Sequence, residues 1–306
     1  MERILEDQID MRKRHHLSTV DRVFYTVTYI VMTIILFLCF YPFWYVFIYS
    51  ISDPIAAQTG VTFLPKQVTL TNYIQVMQLE GIGKAFIISI LRTVIGTFIT
   101  VMCCSFLAYL VTKPIYGRKI VYRLIIITMY LNSGLIPYYL VMRMYHLTNT
   151  FWIYIIPSAI SAYNVILIKT FIESIPASLE ESAKLDGAGN VKIFFKIIMP
   201  LSKPILATIT VFSAVGQWNN WFDNYIYVQN EDLKTLQLIL YDYLNRANQL
   251  AQSSTSSLQH GLAANVLTTQ SVRMTITMIV TLPILFVYPF MQKYFVKGIM
   301  LGAVKG

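Results

Sequence analysis

Apolar residues in this chain are gathered into long blocks separated by shorter polar stretches. A helix needs about 20 predominantly apolar residues to cross a bilayer. The blocks predict spans at about 23–51, 85–112, 120–142, 151–171, 205–228 and 272–295. Lipid offers no hydrogen-bond partners, so each block satisfies its own backbone only as a helix. A membrane β-barrel would need short alternating segments, which this pattern lacks. The expected fold class is therefore an all-α membrane protein with six transmembrane helices. Pro42, Pro137, Pro157 and Pro283 fall inside the blocks, at kinks that neighbouring helices are expected to support.

Composition points the same way. Of 306 residues, 56% are hydrophobic and 13% charged, against about a quarter charged in a soluble domain. The formal net charge is +9, which in a soluble protein would invite nucleic acid. Here its distribution matters more, and no nucleic-acid partner is expected. Seventeen Lys and Arg residues lie on one side, in tail 1–22, after span two, in 169–204 and at the C-terminal end. Six lie on the other. The positive-inside rule then places both termini in the cytoplasm. The chain divides into a tail 1–22, a membrane domain 23–297 and a tail 298–306. The first span reads as retained: charges of both signs precede it and no small-residue cleavage site follows.

Little of the chain reads as reaction chemistry. Cys39, Cys103 and Cys104 sit inside apolar blocks without paired spacing and read as packing residues. His15, His16, His146 and His260 form no metal-spaced set. There is no Gly-x-x-x-x-Gly-Lys-Ser/Thr phosphate loop, no His-Glu-x-x-His and no nucleophile elbow. No catalytic residue, metal or cofactor is expected in this chain. Arg92 stands out inside span two, where a charge costs about 3 kcal/mol on insertion scales. It is read either as a partner for helix-end carbonyls or as a residue near a pathway or gate.

The segment 173–204 is the most informative. Ser178 and Glu181 have the spacing of a capping box, predicting a short helix that Gly187 and Gly189 end in a turn. A second helix is expected to carry Val191, Phe194, Phe195 and Ile198 on one apolar face, stopped by Pro200 and Pro204. Helix, glycine turn and helix along the membrane surface fit either an interfacial connector or a short helix that enters a groove on another protein.

Glu181-Ser182-Ala183, then Asp186-Gly187-Ala188, then Pro200 resembles the EAA signature of ABC importer permeases. Glu180 before it, Phe194 or Phe195 within and Pro204 after resemble the carbohydrate-uptake branch. The second permease of maltose-type importers is the nearest pattern, in the subgroup serving complex oligosaccharides. Asn132 to Pro137, Asn149 to Trp152 and Gly216 to Asp223 match as well, and the resemblance covers nearly the whole chain. Ser182 stands where the motif has Ala, a small change that leaves the docking role intact.

The resemblance implies a type I ABC importer architecture and a bacterial plasma-membrane location. The implied partners are a second homologous permease, two ATPase subunits that use ATP and Mg, and an extracellular sugar-binding protein. It makes Glu180, Glu181, Ser182, Ala183, Asp186, Gly187, Ala188 and Pro200 the ATPase-coupling residues.

Sugar recognition favours aromatic rings beside amides and acids. That combination occurs at Trp218, Asn219, Asn220, Trp221, Phe222 and Asp223. These residues are read as pathway lining or, alternatively, as an interfacial aromatic anchor. Asn132, Ser133 and Asn164 are either sugar contacts or interhelical glue. The polar loop 229–270 is read as a binding-protein contact or a passive connector. An ion-gradient-driven secondary transporter is the alternative function. It predicts acidic residues near mid-membrane, of which the spans hold almost none.

Overall fold

A computed structural model describes residues 18–131, 133–253 and 269–303. Among these residues there are helices and no β-strand; Ser52 and Val68 form one isolated bridge. Three helices are long and apolar enough to cross a membrane. Helix α1 runs Thr19–Ser50, with the Ser18 side chain and Asp21 closing a capping box at its start. Two short helices follow, α2 (Pro54–Gln58) and α3 (Thr71–Gln78). The next long helix, α4, is Ile82–Thr112. The last, α13, is Thr269–Ala303, with its apolar stretch at Gln270–Val287.

The remaining apolar blocks are broken. The third becomes α5 (Arg118–Tyr130) and α6 (Leu135–Met144), interrupted before Gly134, whose φ is +76°. Helix α5 ends at extended Leu131, and Gly134 is the N-cap of α6, where a positive φ is taken without a Cβ clash. The fourth is a single 3-10 turn, Phe151–Tyr154, followed by α7 (Ala162–Glu173). Pro157 lies in the gap and brings no N–H to a helical ladder. The fifth is α10 (Lys203–Asn219), a break at Asn220, and α11 (Phe222–Tyr227). Loop 229–270 is not featureless either: it holds a 3-10 turn and α12 (Leu236–Ser253), with Leu236 and Leu238 buried. Its Ser-rich stretch from Ser254 onward lies outside the described residues.

The segment before α10 folds as α8 (Ala177–Leu185), a turn, and α9 (Asn190–Leu201). The chain then bends by 81° at Ser202 into α10. Pro200 and Pro204 flank that bend: α9 ends one residue after Pro200, and Pro204 lies in the first turn of α10. Two details differ from the sequence expectation. Helix α8 starts at Ala177, with Pro176 as its N-cap and no side-chain cap, so Ser178 lies inside the helix. The apolar face of α9 is Ile193, Phe194 and Ile198, whereas Val191 and Phe195 are exposed. Phe194 and Ile198 stand four apart and so share a face, and a π-helical turn runs over Phe194–Ile198.

That buried face joins the largest core. Cys104, Ala108 and Tyr109 of α4, Val165 and Ile168 of α7, Ala183 of α8, and Ile205 and Ile209 of α10 pack with it. Phe194 meets Phe106 edge-on at 5.6 Å and Tyr109 at 5.2 Å. Phe194→Ala is therefore expected to cost about 3–5 kcal/mol, and Val191→Ala no more than about 0.5 kcal/mol. Thermal unfolding of the two purified variants in detergent checks the contrast, and equal losses would contradict this packing.

Candidate functional site

Two features stand out at opposite ends of α10, whose 17 residues span about 25 Å. At the far end, α4 brings a charge to where two blocks lose their helical hydrogen bonds. Arg92 is 1% exposed. Its Nε donates to Gln217 Oε1 at 3.0 Å and its Nη1 to the Asn220 carbonyl at 2.8 Å. Nη1 also donates to Asp223 Oδ1 at 3.0 Å, and Nη2 bonds Asp223 Oδ2. The guanidinium lies 4.6 Å from the centre of the Tyr154 ring. Asp223 additionally accepts from Asn220 Nδ2 at 3.1 Å and from the Asn224 amide at 2.7 Å.

Gln217 completes the arrangement. Its Nε2 donates to the Tyr154 carbonyl at 3.2 Å and to Ser158 Oγ at 2.7 Å. Thr100 of α4 donates to the Ser158 carbonyl at 3.1 Å. Carbonyls freed where the helices break thus find side-chain donors inside the protein. Gly96 makes room for this: a Cβ there would stand 2.8 Å from the Gln217 side-chain amide.

Two cavities flank the network. An inner one of about 280 Å³ is lined by Arg92, Thr100, Ser161, Asn164, Ser213 and Gln217, among others. Ser213 Oγ is buried without a hydrogen-bond partner. A second, of about 390 Å³, is lined by Gly134, Tyr138, Tyr154, Phe222, Asp223 and Tyr227, among others. Ser158 and Asn220 line both.

The residues singled out from sequence therefore separate. Arg92, Asn220 and Asp223 come together in one network, and Asn164 faces the inner cavity. Trp218 packs against α13, its indole N–H donating to the Val280 carbonyl at 2.9 Å. Trp221 stacks on Tyr241 of α12 at 3.9 Å, and Asn219 accepts from Gln237 at 3.1 Å. Ser133 is exposed and lines neither cavity. Asn132 lies outside the described residues. Gln217, Tyr138, Tyr154 and Tyr227 escaped sequence reasoning. The signal available for Gln217 was an amide directly before Trp218, at the start of the polar run that the sequence reading did single out.

At the near end, α8 is fastened to the bundle. Glu180 forms an ion pair with Lys113 at the end of α4, both side chains largely buried. Lys113 lies 4.3 Å from the Tyr109 ring centre, and Tyr109 donates to the Asn190 carbonyl at 3.3 Å. Ala183 is buried. Gly187, at φ +77°, turns the chain so that the Ala188 amide reaches the Ala183 carbonyl at 2.9 Å. Glu181, Ser182, Asp186 and Gly187 remain exposed, as does Pro200, and Ala188 is half-buried. Leu185 is 90% exposed at the tip. Glu180 and Ala183 thus hold the helix, and the rest of the motif faces outward. Among the described residues no group of His, Cys, Asp or Glu is arranged to hold a metal.

Comparison with known proteins returns one consistent picture. Residues 101–301 match the family of binding-protein-dependent transport system inner membrane components. The chain is 36% identical to protein LplC of Bacillus subtilis (strain 168) over 266 residues, covering 85% of this chain and 88% of that protein. It is 34% identical to the polygalacturonan/rhamnogalacturonan transport system permease protein YtcP of the same organism, covering 94% and 99%. Among solved structures, a chain of a bacterial ABC transporter involved in the import of the acidic polysaccharide alginate superposes with a TM-score of 0.81. The two are 32% identical over 91% of this chain and 98% of that one.

Breaking the buried pair from one side leaves an uncompensated charge, at about 3–5 kcal/mol. Arg92→Met and Asp223→Leu are each expected to lower stability by that order, and the double variant by clearly less than their sum. A double-mutant cycle by thermal unfolding in detergent measures this, and simple additivity would contradict the coupling.

Proposed function

We propose that this chain, which belongs to the family of binding-protein-dependent transport system inner membrane components, is the permease subunit of an ATP-binding-cassette importer that passes a sugar through a bacterial cytoplasmic membrane. An oligosaccharide cargo is supported by a relative whose name specifies polygalacturonan/rhamnogalacturonan and by the alginate importer. Secondary transport driven by an ion gradient is disfavoured, since the matching family works with binding proteins.

In this reading the chain crosses the membrane six times. Helices α1, α4, α10 and α13 each make one crossing. The α5–α6 segment and the 3-10 turn with α7 make the other two, as broken spans. Broken helix is tolerated at membrane depth where it is buried in protein or lines a cavity, and Gly134, Pro157 and Asn220 at these breaks line one. The Lys and Arg distribution puts both termini and α8–α9 in the cytoplasm.

The observation that carries the coupling role is the two-sidedness of α8. One side is pinned to the bundle by the Glu180–Lys113 pair and by Ala183. The other presents Glu181, Ser182, Asp186 and an almost fully exposed Leu185. An apolar tip ringed by polar residues suits a groove on a soluble partner, here the ATPase subunits that use ATP and Mg. A second homologous permease completes the pathway, and an extracellular binding protein delivers sugar to it. A push on α8 passes through the π-turned α9 to the Ser202 bend and along α10 to the cavities, as a rigid-body movement. Arg92, Asn164, Asn220 and Asp223 border the route. Asn164 and Ser213 offer hydrogen-bonding groups to sugar, while the Arg92–Asp223 pair keeps the route's wall intact.

Leu185→Asp should leave folding unchanged, because the side chain touches almost nothing. It is expected to weaken ATPase association at least tenfold, the equivalent of about 1.4 kcal/mol, and to cut ATP-driven uptake in proportion. Co-purification and proteoliposome uptake measure both. Wild-type levels of each would rule out the coupling role of this helix.

A further inference from the structure

The outer, 390 Å³ cavity has a feature that the pathway reading does not use. Tyr227 is 7% exposed and its ring is held by a stack on Tyr139 at 5.8 Å. Tyr138 is 37% exposed, with its ring centre 6.1 Å from that of Tyr227. Among the described residues, neither phenol oxygen has a hydrogen-bond partner. Neither hydroxyl is among the buried unpartnered atoms, so both are accessible, and the two residues line one cavity. Its volume lies within the range of about 300–1,000 Å³ typical of small-molecule sites.

Most of the other polar groups of this cavity are already committed. The carboxylate of Asp223 takes two hydrogen bonds from Arg92, one from Asn220 and one from the Asn224 amide, which fills its four acceptor positions. Ser158 Oγ accepts from Gln217 and lies 3.1 Å from the Tyr154 and Ile155 carbonyls. Tyr154 donates to the Leu233 carbonyl at 2.7 Å. What is left for a ligand is two phenol hydroxyls, the second N–H of the exposed Asn220 amide, and the half-exposed rings of Tyr138 and Phe222. Rings beside free hydroxyls suit a pyranose, which has an apolar face and a rim of hydroxyls. A lipid chain would leave both phenols unpaired.

We propose that this cavity is an outer sugar subsite holding one pyranose residue of an oligosaccharide, with Tyr138 and Tyr227 as its hydroxyl-reading residues. The proposal rests on the permease reading above. Ser158 and Asn220 line both cavities, so the two are neighbours, and the proposal places successive residues of one linear sugar in them. The outer cavity then favours chains long enough to occupy both.

The test uses the intact transporter in proteoliposomes, with its partner permease, ATPases and binding protein. The probes are two ladders, maltose to maltohexaose and di- to hexagalacturonate, supplied at saturating binding protein. The readout is the ratio of hexamer to dimer uptake rate in the ladder that wild type transports. Tyr138→Phe and Tyr227→Phe keep the rings and remove only the hydroxyls. Each is expected to lower that ratio about fivefold, the scale of one hydrogen bond, with dimer uptake changed less than about twofold. Three results overturn the subsite: an unchanged ratio, an equal loss at every length, or variants that no longer co-purify with the ATPases. If the wild-type transporter moves no member of either ladder in an ATP-dependent way, the sugar-importer reading falls and takes the subsite with it.

Discussion

Backbone carbonyls at a helix break lose their helical partners, and the far end of this protein is organised around that shortage. The Tyr154, Ser158 and Asn220 carbonyls are met by Gln217, Thr100 and Arg92. Each lost partner would cost about 1–3 kcal/mol. Arg92 does most, bonding a carbonyl, an amide and a carboxylate at once. Its fork of donors in fixed geometry suits that task, and Asp223 neutralises the charge that comes with it. The cavities exist because the helices break, and the breaks are tolerable because these side chains close them.

The same helices connect this end to the other. Helix α4 carries Arg92 in its middle and ends at Lys113, which holds Glu180. Helix α10 starts at the Ser202 bend and ends at Asn219, beside the network. Two rigid elements thus run from the motif helix α8 to the cavities. Close packing between them, with Ile205 and Ile209 against Cys104 and Ala108, favours movement as a body over local yielding. This is the physical content of coupling here: a load on α8 has a stiff route to the place where sugar is proposed to sit.

Much of this was legible in the pattern of residues, and the losses are instructive. Long uninterrupted blocks gave α1, α4 and α13, because hydropathy and length alone decide a plain span. The blocks at 120–142, 151–171 and 205–228 are apolar enough to look alike, yet they break at Gly134, near Pro157 and at Asn220. Only neighbours that repair the backbone make such breaks affordable, and those neighbours lie far away in sequence. Val191 and Phe195 were placed on the buried face from spacing alone, but the face that packs on the core is Ile193, Phe194 and Ile198, and spacing cannot say which side of a helix meets its neighbours. Trp218 and Trp221 had the composition of a sugar site, but their rings are consumed by Val280 and Tyr241.

The sequence by itself determined the membrane class, the uneven distribution of Lys and Arg among the loops, and the glycine-turned motif at Glu180–Ala188. These follow from transfer free energies and from local backbone preferences, which act over a few residues. Tertiary structure decided which members of the motif hold and which face outward. It likewise decided that Arg92 closes a network with Gln217 and Asp223, and that Tyr138 and Tyr227 share a cavity. Those outcomes depend on residues more than 60 positions apart being brought within hydrogen-bond or packing distance, and no local pattern along the chain carries that information.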